Sequence, residues 1–245
     1  MNQTLPLKIL YTFRDLRSKE LFLSLKKYCS GDVLDVGGGR FYLTAKAKKI
    51  PFASWTNLEN DRYSKIETKD KEYRFVSGDG CKMKFKDKSF DTVLNIQVLE
   101  HVFEPIKMVK EVSRVLRPGG YAIFLIPQTS ALHIAPYHYY NFTKYWILKA
   151  TKQADLRIVQ LKPIGGRFSS LASNLFYFFL QSFRVKGMSA KDSKRNLLFY
   201  VLLPLTFLYA LINIPVLLLF SLGDLTEEPN NHLVVAKKIK KNDPV

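Results

Sequence analysis

The chain is poor in sulfur, in negative charge and in histidine. Cys29 and Cys81 are its only cysteines. Two thiols make neither a disulfide scaffold nor a Cys-based zinc site, so a reduced, cytosolic compartment is expected. Acidic residues number 21 against 38 Lys and Arg, leaving a net charge of +17. The first twenty residues hold no uninterrupted apolar run and carry Lys8, Arg14 and Arg17, which reads against a secretory signal. No internal repeat or low-complexity stretch is visible. What is present is ordinary globular material: 245 residues, 47% of them hydrophobic, with 18 Phe and 13 Tyr to fill a core. That composition excludes a disordered polycation and fits one large domain, or one domain with a substantial insertion.

The positive charge has three readings. It could attract nucleic-acid phosphates, it could attract anionic lipid headgroups, or it could reflect a lysine-favouring composition, since Lys outnumbers Arg by 27 to 11. Charge alone does not choose among them.

Periodicity sets out the elements. Ser18 to Cys29 reads as an amphipathic helix, with Leu21, Phe22 and Leu25 at helical spacing. Short apolar runs follow as strands at Val33–Val36, Ala53–Leu58, Tyr73–Val76, Thr92–Ile96 and Tyr121–Ile126. A helix over Glu104–Leu116 is expected to stop at Pro118-Gly119-Gly120, and another spans Lys144–Ala154. Strands at Leu156–Leu161 and His232–Ala236 complete the series. Strands alternating with helices imply a parallel sheet covered on both faces.

The first strand ends in Asp35-Val36-Gly37-Gly38-Gly39. Glycines there permit positive φ and close approach of a ligand to the backbone, at the carboxyl edge where doubly wound sheets bind ligands. The spacing is wrong for a dinucleotide fingerprint, because Tyr42 stands where the third glycine should be, and Gly-Lys-Ser/Thr of a P-loop is missing. A second strand ends at Glu59, placed to accept hydrogen bonds from ribose hydroxyls. A third ends at Gly78-Asp79-Gly80, and a fourth carries Asn95 and Gln97 before Glu100-His101.

In order and spacing these residues resemble a class I S-adenosylmethionine-dependent methyltransferase of the small-molecule group: VLDVGGG (Val33 to Gly39), Glu59, Gly78 to Gly80, SFDTVLNIQVLEHV (Ser89 to Val102) and RVLRPGGYAIFLIP (Arg114 to Pro127). The resemblance implies an α/β, doubly wound Rossmann-like sheet of seven strands, the last antiparallel, with S-adenosylmethionine as cofactor. It implies that Gly37 and Gly39 flank the methionine and ribose, with Asp35 stabilising the site. Glu59 would hold the ribose, Asp79 and Gly80 would face the adenine, and Asn95 and Gln97 would lie near the reacting methyl. Phe41 departs from the pattern, standing where many members have a third small residue, and is expected to crowd the loop.

Methyl transfer from a sulfonium needs alignment and, for a protonated nucleophile, a base. His101 and His138 are the catalytic candidates; each also has a purely structural reading, as does the Tyr137, Tyr139, Tyr140 cluster. No metal site is expected. Nucleic acid as the acceptor is poorly supported: no added RNA-binding module is recognisable, and the alternating Lys82, Lys84, Lys86 and Lys88 could form a basic stripe but read more readily as a solvated edge turn.

The 28 residues between Arg195 and Asp224 carry no charge. By length they could cross a bilayer, but a single crossing would strand the last strand on the wrong side. Pro204 and Pro215 are expected to break or kink the segment. The remaining readings are a re-entrant hairpin, an interfacial helix, a dimer surface, a lid or a buried insertion. The chain thus divides into an N-terminal helical segment (1–30), a cofactor-binding domain (31–167), a hydrophobic helical insertion (168–222) and a returning strand with a basic tail (223–245). The insertion follows a basic loop with Arg184, Lys186, Lys191, Lys194 and Arg195, which suits peripheral membrane contact. The function expected is methylation of a small-molecule, lipid-linked or glycan acceptor, in the cytoplasm or at the cytoplasmic membrane face. The alternative is an inactive cofactor-binding partner or scaffold protein, with RNA methylation the least favoured reading.

Overall fold

In the computed structural model, which describes residues 18–60, 65–185, 188 and 194–239, the strands are β1 (Asp32–Val36), β2 (Ser54–Glu59), β3 (Tyr73–Ser77), β4 (Phe90–Ile96), β5 (Leu116–Pro127), β6 (Leu156–Ile164) and β7 (Asn231–Lys238). They form one sheet in the order β3-β2-β1-β4-β5-β7-β6. All neighbours up to β5 pair in parallel, and β7 runs antiparallel to both β5 and β6. This is the sheet the resemblance implies. The expectations on residues 1–17, Lys186, Lys191 and the tail 240–245 lie outside the described residues.

Helices cover both faces. One face is packed by α1, helical over 18–28, and by α2 (Phe41–Ala47), whose Leu25 and Tyr42 meet Trp55 and Val33 in a buried cluster. The other is packed by α3 (Pro105–Val115) and α4 (Lys144–Gln153). In α3, Pro105 sits in the first turn, where its missing N–H costs nothing, and Met108, Val109, Val112 and Val115 fall on one buried face. Each such side chain contributes about 1.5–3 kcal/mol when fully buried. β1 is inaccessible on both faces through Val33, Leu34 and Val36, which is why it reads as a continuous apolar run.

Two expectations fail. Leu116-Arg117-Pro118-Gly119-Gly120 is no simple stop: the chain enters β5 at Leu116, and the register with β4 shifts between Phe90 and Thr92 so that residues 117–120 bulge. The helix ends one residue earlier than the punctuation suggests because Leu116 is already a strand partner of Phe90. Likewise, of the two outcomes expected at Pro204 and Pro215, the break in the apolar segment does not occur. The segment forms one helix, α6 (Leu197–Phe220), since each proline removes a single hydrogen bond and the neighbouring turns continue the ladder.

α6 packs against α5 (Arg167–Ser182) through Phe207, whose ring lies 4.8 Å from that of Phe179 and 5.5 Å from that of Phe183, and through Phe168 and Phe220 at 5.5 Å. The base of this hairpin is closed by Asp224, just past α6, whose carboxylate accepts from Phe168 N at 2.7 Å and Ser169 N at 3.0 Å in the first turn of α5. Arg195 donates to the Ser182 and Gln181 carbonyls at the far end of α5.

Candidate cofactor and acceptor site

The carboxyl edge of the sheet gathers the sequence-predicted residues at its centre. The glycine loop leaves β1 with φ of +70° at Gly37 and +52° at Gly39. Each glycine has a different reason. A Cβ on Gly38 would sit 1.9 Å from an Asp35 carboxylate oxygen, and one on Gly37 would sit 2.7 Å from Val98. A Cβ on Gly39 would meet nothing within 4 Å, so that residue borders open space. The loop is pinned to the end of β2 from both sides: Gly39 N donates to Glu59 Oε1 at 2.5 Å, and Asn57 Nδ2 donates to the Gly39 carbonyl at 2.9 Å.

Asp35 lies beneath this loop, 1% exposed, and neither carboxylate oxygen has a hydrogen bond of good geometry. Burial, reinforced by the negative charge of Glu59, pushes its pKa up to about 8; the nearby Trp55 indole lowers it only in part. Asp79 is exposed and accepts from Cys81 N at 2.7 Å, closing its turn. Gly80 is closely packed, since a Cβ there would lie 2.5 Å from Met108 Cε and 3.0 Å from Val36 Cγ1 and would displace the methionine tip. Asn95 is buried and donates to the Met108 sulfur at 3.2 Å, with its Oδ1 unpaired. Gln97 has φ of +58°, unusual for a side chain of its kind, and reaches Asn231 on β7 at 2.6 Å. Phe41 does not crowd the loop: its ring faces Phe22 at 6.3 Å and Trp55 at 6.4 Å, inside the cluster under α1 and α2.

Beyond β4 a short turn, Leu99–His101, meets the loop that follows β5. Tyr139 N donates to the Glu100 carbonyl at 2.8 Å, and His101 Nδ1 lies 2.8 Å from the Tyr137 carbonyl. These contacts bring His101 and His138 together, with ring centroids 5.8 Å apart, and add His133 at 4.8 Å from His101 and 4.5 Å from His138. Burial holds His101 and His138 below the usual imidazole range, with the neighbouring His133 adding to both shifts. Below them Glu100 is fully buried with both oxygens unpaired, and desolvation pushes its pKa up to about 7. Sequence reasoning missed His133 and Glu100. Their only signal was that three of the chain's four histidines follow the fourth and fifth strands.

The hairpin adjoins this cluster. On α5, Tyr177 lies 6.4 Å from the His133 ring, Gln181 donates to the Leu132 carbonyl at 3.3 Å, and Ser170 meets Thr129 at 2.7 Å. The lysine stripe at 82–88 is an edge turn: Met83 packs in the core, the four lysines are exposed, and Arg114 clamps the turn through the carbonyls of Met83 and Phe85.

Residues 34–124 match the family model described as "Methyltransferase domain". The chain is 37% identical over 97 residues to cycloartenol-C-24-methyltransferase 1 of Oryza sativa subsp. japonica, covering 36% of this chain and 28% of that one. It is 40% identical over 91 residues to a phthiotriol/phenolphthiotriol dimycocerosates methyltransferase of Mycobacterium tuberculosis, covering 35% and 32%. The match thus spans about a third or less of these curated relatives. Among solved structures it resembles phosphoethanolamine N-methyltransferase 2 of Haemonchus contortus in complex with S-adenosyl-L-methionine, with a TM-score of 0.56, 15% identity, and coverage of 90% and 53%.

The residues present suit that cofactor. It carries cationic sulfonium and ammonium groups, a ribose diol and an adenine. Opposite these the edge offers an orphaned buried carboxylate, Asp35, the open flank of Gly39 and the Glu59 carboxylate. Residues 34–124 thus match a methyltransferase domain, and the sheet order and glycine loop are those of the class I, Rossmann-like fold that takes S-adenosylmethionine.

Proposed function

We propose that the chain transfers a methyl group from S-adenosylmethionine to a lipid-linked or otherwise amphiphilic acceptor, working at a membrane surface. When bound, the cofactor supplies an electrophilic methyl on a positively charged sulfur. The chain's own part is to hold and align it. Gly37 and Gly39 shape the cradle, Asp35 faces its positive charge, Glu59 holds the ribose and Asp79 with Gly80 borders the adenine. Gln97, held by Asn231, and Asn95 sit at the end of β4, on the side from which the acceptor approaches. A nucleophile that starts protonated gives its proton to the cluster of His101 and His138, with His133 beside them.

The observation that carries the acceptor class is the hairpin. The helix Leu197–Gly223 is long and apolar enough to cross a membrane, yet only 6% of its most apolar window is buried. Leu197, Val201, Leu205, Leu208, Leu211 and Leu219 are each more than half exposed, a surface that soluble monomers rarely keep. Because β7 follows and lies between β5 and β6, the helix has to return its chain to the sheet, which favours an interfacial or re-entrant placement over one crossing. Lys194, Arg195 and Arg184 lie at its far end, suited to anionic headgroups. α5 joins this apolar surface to the histidine loop, so an acceptor held in the headgroup layer would reach the cofactor edge without leaving the lipid. The cycloartenol and phthiotriol/phenolphthiotriol dimycocerosates methyltransferases named above support the same acceptor chemistry.

Flotation of the full chain and of a version lacking residues 168–222 with anionic vesicles tests the placement. Binding by the full chain alone supports it, and equal binding by both removes the membrane from the account.

A further inference from the structure

The fourth histidine, His232, is buried with its Nε2 at 2.6 Å from Gln128, while the other three converge over Glu100. Ligand-capable atoms of Glu100, His101 and His133 all lie within 4.8 Å of one another. Hydrogen bonding fixes the imidazole tautomers. His101 Nδ1 faces the Tyr137 carbonyl at 2.8 Å, and His133 Nδ1 faces the Ala131 carbonyl at 2.9 Å. A carbonyl only accepts, so each ring donates from Nδ1 and keeps a lone pair on Nε2. His101 Nε2 stands 3.8 Å from Glu100 Oε1, too far for a hydrogen bond. The Glu100 carboxylate is fully buried with no hydrogen bond to either oxygen. Two imidazole lone pairs and a carboxylate thus face one another, an arrangement that repels itself unless a proton or a cation lies at the centre.

We propose that Glu100, His101 and His133 form a divalent-cation site. Two nitrogens and one carboxylate oxygen suit Zn²⁺ and neighbouring first-row ions, and three protein ligands leave a position open to an acceptor oxygen. Backbone carbonyls on both Nδ1 atoms supply the outer hydrogen bonds that orient histidine ligands. Both histidines are partly exposed while Glu100 is sealed beneath them, so an ion enters from the face that the post-β5 loop and α5 border. His138 is outside the set, because its Nδ1 already accepts from His133 N at 3.3 Å. The site shares no side chain with the cofactor edge, but an ion there would occupy His101 and His133, which the methyl-transfer reading otherwise offers as proton acceptors.

The test is titration of the full, tag-free, chelator-stripped chain with Co²⁺, read by visible absorption and then by displacement with Zn²⁺. One equivalent should saturate, with the intense bands of four- or five-fold coordination. Glu100→Gln and His133→Ala should each weaken binding by at least about tenfold. His232→Ala should leave it unchanged. Circular dichroism reports whether each variant folds, and S-adenosylhomocysteine titration, which needs none of these side chains, keeps failure of the methyl-transfer reading distinct. If a variant fails to fold, the wild-type spectrum and stoichiometry decide. Absence of saturation at one equivalent, weak octahedral bands only, or tight binding that survives in folded His133→Ala would overturn the site.

Discussion

Replacing Asp35 with Asn should change how stability depends on pH more than it changes the fold. The carboxyl is buried without a hydrogen bond, and its folded pKa is about 8 against 3.8 for an ordinary Asp. A carboxyl whose folded pKa is raised binds more protons folded than unfolded, so its contribution is complete at low pH and is lost as pH climbs towards 8. From about pH 5 to pH 8 that loss amounts to about 3.5 kcal/mol, at about 1.4 kcal/mol per pH unit and allowing for the folded carboxyl ionising near the top of the range. The amide introduced by Asp35→Asn has nothing to ionise and fills the same space beside Gly38. Urea unfolding of the cofactor-free chain and of Asp35→Asn, each at several pH values in this window, isolates the effect. Titration of His101, His138 and His232 is common to both chains and cancels. The variant should gain on wild type by up to about 3.5 kcal/mol as pH rises. Parallel stability curves would refute the burial argument, and a wild type that gains relative to the variant would reverse its sign.

Three further outcomes follow from the same edge. Binding of the cationic cofactor should favour the ionised form of Asp35 and release protons, so calorimetry near pH 7.5 in buffers of different ionisation enthalpy should give different apparent enthalpies in wild type and equal ones in Asp35→Asn. Gly39→Ala should cost only about 1 kcal/mol of stability, since its φ is +52° but its Cβ meets nothing, and should still abolish cofactor binding; Gly38→Ala should destabilise by about 1–3 kcal/mol through its clash with Asp35. Glu59→Ala should weaken S-adenosylhomocysteine by about 1.5–3 kcal/mol, read by calorimetry, because it removes both the ribose acceptor and the Gly39 N–H partner.

Legibility in the sequence followed contact range. The position of the glycine loop, Glu59 and Gly80 at the carboxyl edge was readable because each stands at or just beyond the end of a strand that the apolar runs mark out. The antiparallel last strand came from the family resemblance, whereas its place between β5 and β6 was not foreseen, as no local pattern encodes strand order. Phe41 misled because its residue type suggested crowding, whereas the direction of α2 turns the ring towards Phe22 and Trp55. No break occurs at Pro204 or Pro215 because the other turns of the helix remain bonded, which a rule read from single residues does not weigh. The Glu100–His101–His133 group was invisible, since 32 residues separate the two histidines and only the contacts of Tyr137 and Tyr139 with the turn after β4 bring them together.

The central claim is that this edge binds S-adenosylmethionine and passes its methyl group to an amphiphile. Incubation of the full chain with methyl-labelled cofactor and a membrane lipid extract, followed by organic extraction, tests it most directly. Label should enter the lipid phase with wild type and fall to background with Glu59→Ala and with Gly39→Ala. Label that stays wholly in the aqueous phase with wild type, or that enters lipid equally with the variants, would contradict the account.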